Sequence, residues 1–588
     1  MAMNPTRLFS VFSVVFFAVS GVSTSQELTV NELFPADRVL EIKIDVDPDD
    51  WESIRYVSRD LRTELGAKRQ FGPVESPYEY VKSDITIDGV KFEDVGLRKK
   101  GFIGSQSTSR PSFKIKLDYK SKKKRVGGLS TLTLNNNQQD TSLLSQYMGY
   151  SFFRDAGLPA PRCAFAKVTL NGNDLGVYSH VESAKKNLVE NGFGNSDGTL
   201  YEGTVVDFHQ GWGASFDRKF GKKVYGQKQI EKLIEAVELP DGESFGTFDA
   251  ESAMEDLVAM DQFYQFWAVE SLLGFWDGYS GNRNNFFFYV NRSDDKIYFI
   301  PWGGDCMFQK FSMIDRDPRL PISVKTKGIL SHRLYQNPES RERYRKTLVK
   351  LMDEHWDEEL LLAEVDRIEE LVLPLLSEAQ KKRYSTRSVK RFIKTRRQEI
   401  NAEMEDGMPE WTRDPGEAVV ITDSWGDRRQ PVKKSGQDVW MAAKNGDMEL
   451  LKDWKKNGGN IDQPNGDGTT PLIMAALGGQ FEVAKFLIEN DANVDSMSRD
   501  RNAAIHSAAF LGRLDIVQML VEQGANVEVK NRDGATAVEI ASQEFSEVVG
   551  FIKMVDQMLD LDLEIKKVAE DRRKVVEYLQ SLEKSSDK

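Results

Sequence analysis

Two acids and a cluster of side-chain amides set the chemistry open to this sequence. Asp277 is followed by Asn282, Asn284 and Asn285, an apolar hairpin intervenes, and Asp305 stands directly after Gly303 and Gly304. One carboxylate can take the proton of a hydroxyl, while an amide oxygen and a second carboxylate can hold a hard divalent cation such as Mg²⁺. In that order they suit phosphoryl transfer from a bound nucleotide, although each acid or amide taken singly also serves as a turn cap. Upstream, the basic stretch 96–112 reads as a loop, contains Gly101 and Gly104 and leads into a strand over residues 113–117. Glycines let backbone N–H groups approach phosphate oxygens, and strand alternation sets Lys114 and Lys116 on one face, with Phe113, Ile115 and Leu117 on the other. The histidines His180, His209, His332 and His355 have no base-and-nucleophile spacing, so a serine or cysteine hydrolase has little support.

These residues need a frame, and the spacing predicts one. Alternating stretches at 39–46, 80–87 and 112–117 read as strands, and 141–156 has helical spacing ended by Gly157 and Pro159. Strands return at 164–170 and 177–181 around an Asn171-Gly172 turn. A long apolar helix is expected over 249–275, a hairpin over 284–301, and helices throughout 341–405. Sheet first and helices later describe an α+β domain of two lobes better than a doubly wound sheet. Residues 381–397 hold nine Lys or Arg and no acid, which reads first as a solvated helix face.

Residues 407–434 carry Pro409, Pro415 and Pro431 among polar residues and read as a linker. Beyond it Ala442, Ala475, Ala508 and Ala541 recur every 33 residues, as do Gly446, Gly479 and Gly512. With Thr470-Pro471-Leu472 opening a helix, this period is the ankyrin signature, and His506 takes a structural position within it. The repeats are assigned to 435–548 and one amphipathic helix to 549–588. Repeats contact only their neighbours, so this block is expected to fold without the domain before the linker.

The whole chain of 588 residues carries 79 basic and 92 acidic residues, a net charge of −13 that disfavours general binding to nucleic acid or an anionic membrane. Cys163 and Cys306 are too few for a closed zinc site or a disulfide scaffold, although one bridge between them stays open. Arg7, an apolar run over 8–19 and small residues through Ser25 have the anatomy of a signal peptide, 1–25. Nothing later is apolar enough to span a bilayer, so a secreted, periplasmic or cell-surface protein is expected.

Residues 110–116, 132–137 with Asp140, 154–161, 170–182, 277–289, 301–305 and 389–397 occur in an order that resembles the spore coat protein H (CotH) kinase family, over about 35–405. The resemblance implies an atypical secreted protein kinase with a two-lobed kinase-like domain over 26–406, using ATP and Mg²⁺. It implies Lys114 on the phosphates and Glu182 near the base or ribose, while Lys116, Gly101 and Gly104 join the cofactor-binding set from the reading of the basic loop and strand above. Asp277 would be the catalytic carboxylate, and Asn285, rather than Asn282, would bind Mg²⁺ with Asp305. A protein substrate, serine-rich in the simplest case, and a protein partner on the ankyrin repeats follow. The helix 141–154 lacks an acid to pair with the lysine, Ser145 stands where relatives often have Arg, and Cys306-Met307-Phe308 follows Asp305. Those departures keep a second reading open, a noncatalytic scaffold or adhesin.

Overall fold

The computed structural model describes residues 28–59, 64–102, 105–121, 125–238, 249–310, 320–411, 439–465, 468–559, 561 and 563–586. The expected signal peptide, Gly104 and most of the linker lie outside them.

Alternation builds the first core. In β1 (Leu40–Val46) every second residue is buried, and Leu40, Ile42 and Ile44 face inward. There follow β2 (Val81–Ile87), β3 (Val90–Lys100), β4 (Ser112–Lys116), β5 (Thr131–Asn135), β6 (Cys163–Leu170) and β7 (Asn173–Glu182). They pair in the order β1-β2-β3-β4-β5-β7-β6 and close into a barrel, with β6 parallel to β1. Ile85, Leu97, Phe113, Ile115, Leu132 and Leu134 fill its interior and are fully buried. A two-lobed kinase-like domain was expected, and a closed seven-stranded barrel is found instead. Closure leaves no unpaired edge and lets the inward face of every strand share one core. The stretch 96–100, expected as loop, is the end of β3 and pairs with β4 from Gly96–Lys116 to Lys100–Ser112.

A second sheet runs β11-β10-β8-β9, built from β8 (Thr199–Gly203), β9 (Asp217–Phe220), β10 (Phe286–Val290) and β11 (Ile297–Pro301). The long helix expected over 249–275 is two, Ala250–Met254 and Met260–Leu272. The chain between them is drawn onto β11, where Ile297 donates to Leu257 O and Ala259 donates to Ile297 O. Arg396 in the basic helix Arg387–Glu403 is fully buried and bonds the carbonyls of Ser271, Leu272 and Ile322. Lys390 pairs with Asp366 and Glu369, and Arg397 with Glu358, so charge partners rather than solvent absorb much of that run.

The repeats follow their period. Thr470 caps the helix Pro471–Gly478, and Gly479 ends it at φ +69°, a conformation that favours glycine. His506 accepts from Ala503 N at 3.1 Å and bonds Val529 O at 3.1 Å, tying one repeat to the next. The final stretch is two helices, Phe545–Leu559 and Ile565–Ser586, rather than one. Arg572 of the second is buried on the carbonyls of Phe510, Ile540 and Gln543 and closes the stack. The first also lies against the barrel domain. A β-carbon at Gly550 would come 2.9 Å from Gln106 O, so only glycine allows this approach.

Candidate phosphoryl-transfer site

The turn after the helix Met260–Leu272 is held from beneath by one buried acid. Glu270 accepts from Tyr279 N and Ser280 N, both at 2.8 Å, and from the Ser280 hydroxyl at 2.5 Å. A β-carbon at Gly278 would lie 2.2 Å from Glu270 Oε1, so glycine is needed where the chain passes over it. Asp277 is thereby presented to three amides. Its Oδ1 accepts from Asn282 Nδ2 at 2.6 Å and Asn284 Nδ2 at 3.2 Å, and its Oδ2 from Asn285 Nδ2 at 2.8 Å. Burial pushes the Asp277 carboxyl above its ordinary value, and the three amide bonds oppose that rise.

Asp305 follows β11, where Gly303 lets the chain close on Asn285. A β-carbon at Gly303 would stand 2.1 Å from Asn285 Oδ1, and both residues have left-handed φ near +51°. The helix Ser145–Asp155 supports this loop, with Tyr150 Oη accepting from Gly304 N and Ser145 Oγ donating to Met307 O. Burial, then the charges of Asp277 and Asp140, push Asp305 up to about 7, and Lys100 draws it down. Two carboxylates that repel one another in a buried site are relieved by a cation. With the Asn285 amide, the donor set is hard oxygen of the kind Mg²⁺ takes while keeping water and phosphate ligands. Among the described residues no group of three His, Cys, Asp or Glu gathers into a fuller metal cluster.

The cation that acts on Asp305, Lys100, stands on the outer face of the barrel. Register places Arg98 opposite Lys114 and Lys114 opposite Thr133, so these side chains share the outer face. Lys114 is pushed down to about 7, chiefly by burial and then by Arg98, Lys219 and Lys185, while Glu202 of β8 opposes the shift. Lys100, on the same face two residues beyond Arg98, is pushed down to about 8 by burial, with Asp305 and Glu202 opposing. Glu202 therefore acts on both lysines, and Asp305 on Lys100. Lys100 is the site residue that sequence reading missed. Its signal is the i, i+2, i+4 placement of Gly96, Arg98 and Lys100 along β3.

The remaining expected residues are placed as follows. Lys116 lies on the Lys114 face, 6.0 Å from the centre of the Tyr80 ring. Gly101, at φ +131°, turns the chain out of β3, and its carbonyl accepts from Tyr78 Oη at 2.9 Å. Glu182 is not brought to this face. Register sets it opposite Leu132, which in turn opposes Ile115, so it points to the inner side of the sheet and forms a two-pronged pair with Arg162. It is buried at 2 % exposure, and both its carboxylate oxygens are taken by Arg162. Cys163 and Cys306 are buried free thiols, so no bridge joins them.

Comparison with known proteins covers both halves. The family model described as CotH kinase protein matches residues 97–408, and that described as ankyrin repeats (3 copies) matches 439–531. The inner spore coat protein H of Bacillus subtilis (strain 168) is 23 % identical over 264 residues, 42 % of this chain and 71 % of that protein. The inner spore coat protein H-like protein of the same organism is 37 % identical over 60 residues, 10 % of this chain and 20 % of its own length.

Proposed function

The chain belongs to the CotH kinase protein family, and on that premise we propose that its first domain is an exported protein kinase that transfers the γ-phosphoryl group of Mg²⁺-ATP to protein Ser or Thr hydroxyls. The observation that carries this reading is the buried pair Asp277 and Asp305 with Lys100 near enough for its charge to act on Asp305, on the barrel face that also carries Lys114. Mg²⁺-ATP supplies the phosphoryl donor and the charge neutralisation that lets it react. Asp305 and Asn285 are the residues suited to the cation. Lys114 and Lys100 offer the anionic phosphates cationic partners in a site shielded from water, where such contacts are strong. Asp277, fixed by three amides and raised toward neutrality, is oriented to take the hydroxyl proton. The ankyrin repeats present a surface for a protein partner, and residues 1–25 direct the chain to a secreted, periplasmic or cell-surface location.

Transfer of labelled γ-phosphate to a serine-rich test protein checks the reading. Asp277→Ala and Asp305→Ala should each abolish it, and undiminished transfer in both refutes the assignment. One observation favours the scaffold instead. Residues 145–154 of the helix Ser145–Asp155 carry no carboxylate for the lysines, and Gln146, buried in its first turn, bonds Asn135 instead. Thermal stabilisation by Mg²⁺-ATP without turnover selects that second reading.

A further inference from the structure

A cavity of about 60 Å³ lies outside the Asp277–Asp305 site, among residues 107–110, the loop after β5 and the helix Glu378–Arg383. Ser107, Ser109, Asn137, Arg383, Tyr384 and Glu547 are among the residues around it. At roughly 10–15 Å³ for each water, it has room for a carboxylate or phosphate group and not for a nucleotide.

Its polar lining is incomplete in a directed way. Lys100 Nζ donates to Asn135 Oδ1, Asn135 Nδ2 donates to Gln146 Oε1, and Gln146 Nε2 donates to Asn137 Oδ1 at 3.3 Å. An ammonium group has only donors, so Lys100 sets the polarity of the whole chain, and no amide along it can turn over without breaking a bond. The chain must therefore end on a donor. That donor, Asn137 Nδ2, is buried without a partner on a residue only 6 % exposed. Tyr384 Oη, on the same cavity, is also buried without a partner. Buried donors are nearly always satisfied, so an acceptor belongs here. Arg383 adds a cation to the wall.

We infer that this cavity is a binding site for a small oxyanion, a carboxylate or phosphate group, held by Asn137 Nδ2, Tyr384 Oη and Arg383 and joined to Lys100 by the amide chain. Two carboxylates also line the cavity: Asp140, whose oxygens are occupied by Ser142 and Ser145, and Glu547 of the helix Phe545–Leu559, which competes with the ligand. The site stands on geometry and does not require that the chain be a kinase.

Calorimetric titration of the full chain with inorganic phosphate and, separately, with acetate, without nucleotide or Mg²⁺, tests it. Lys114→Met guards against phosphate bound at the nucleotide face. Asn137→Asp is isosteric, tolerates the left-handed φ of +52°, keeps the acceptor for Gln146 and turns an acceptor oxygen on the ligand. Binding should survive Lys114→Met, weaken about tenfold or more in Asn137→Asp and strengthen in Glu547→Gln. Should Asn137→Asp fail to fold, Tyr384→Phe takes its place and should also weaken binding. Phosphate binding alone identifies a phosphoryl ligand, and acetate binding alone a carboxylate. The inference is overturned if neither ion binds the wild type, if Asn137→Asp or its Tyr384→Phe replacement binds equally well, or if Lys114→Met abolishes the signal.

Discussion

Lys114 should take up a proton when an anionic nucleotide binds. Burial and the neighbouring Arg98, Lys219 and Lys185 push this lysine from its ordinary 10.5 down to about 7. At pH 8 it is then about 90 % neutral, and at pH 6 about 10 % neutral. A polyphosphate placed against it restores the charged form, because an opposite charge outweighs the remaining desolvation. Nucleotide binding should therefore carry an uptake of about 0.9 proton at pH 8 and about 0.1 at pH 6 through this group alone. Affinity should fall by up to about tenfold for each pH unit above 7. Calorimetry of ATP binding without Mg²⁺, in buffers of differing ionisation heat, measures the uptake directly. Leaving Mg²⁺ out keeps proton release from Asp305 out of the measurement. Lys100, pushed down to about 8, takes up protons of its own, so the diagnostic quantity is the wild-type value minus that of Lys114→Met. If that difference is near zero at pH 8, Lys114 does not meet the phosphates and its assignment is wrong.

Acid should destabilise the barrel through His180, which burial pushes down from 6.5 to about 4. Because the unfolded chain binds this proton first, stability rises as pH climbs from about 4 to 6.5 and is lost in the reverse direction, by about 3 kcal/mol in all; His180→Gln should flatten that slope in thermal melts. Leu132→Ala empties fully buried space in the barrel and should cost about 2–5 kcal/mol, read by denaturant unfolding of the sheet domain. Removing residues 545–588 frees the loop at Gln106 from its contact with Gly550, so proteolysis near 105–110 should quicken; an unchanged rate would mean that the helix does not restrain the loop. Gly149→Ala sets a β-carbon 2.0 Å from Met307 Sδ, so it should cost about 1–3 kcal/mol despite better helix propensity and should weaken metal binding at the adjoining Asp305 loop.

Asp277 and its amides were legible because they lie close along the chain. Asp277 meets Asn282, Asn284 and Asn285 within eight residues, so local turn geometry is enough to join them. The strands at 40–46 and 112–116 and the 33-residue period were legible for a like reason, since alternation and repetition are written residue by residue. Tertiary structure alone decided what depends on which strands become neighbours. The inward faces show that the strands share a core, yet only the return of β6 onto β1, more than 100 residues apart, turns the sheet into a barrel rather than an open lobe. Pairing register then turned Glu182 to Arg162 and away from Lys114, and it lifted Lys100 out of a supposed loop onto the face that carries Lys114. The same principle governs the C-terminus. The repeats fold by nearest-neighbour contacts that the sequence displays, whereas the approach of Gly550 to Gln106 spans more than 400 residues and leaves only a glycine as its trace.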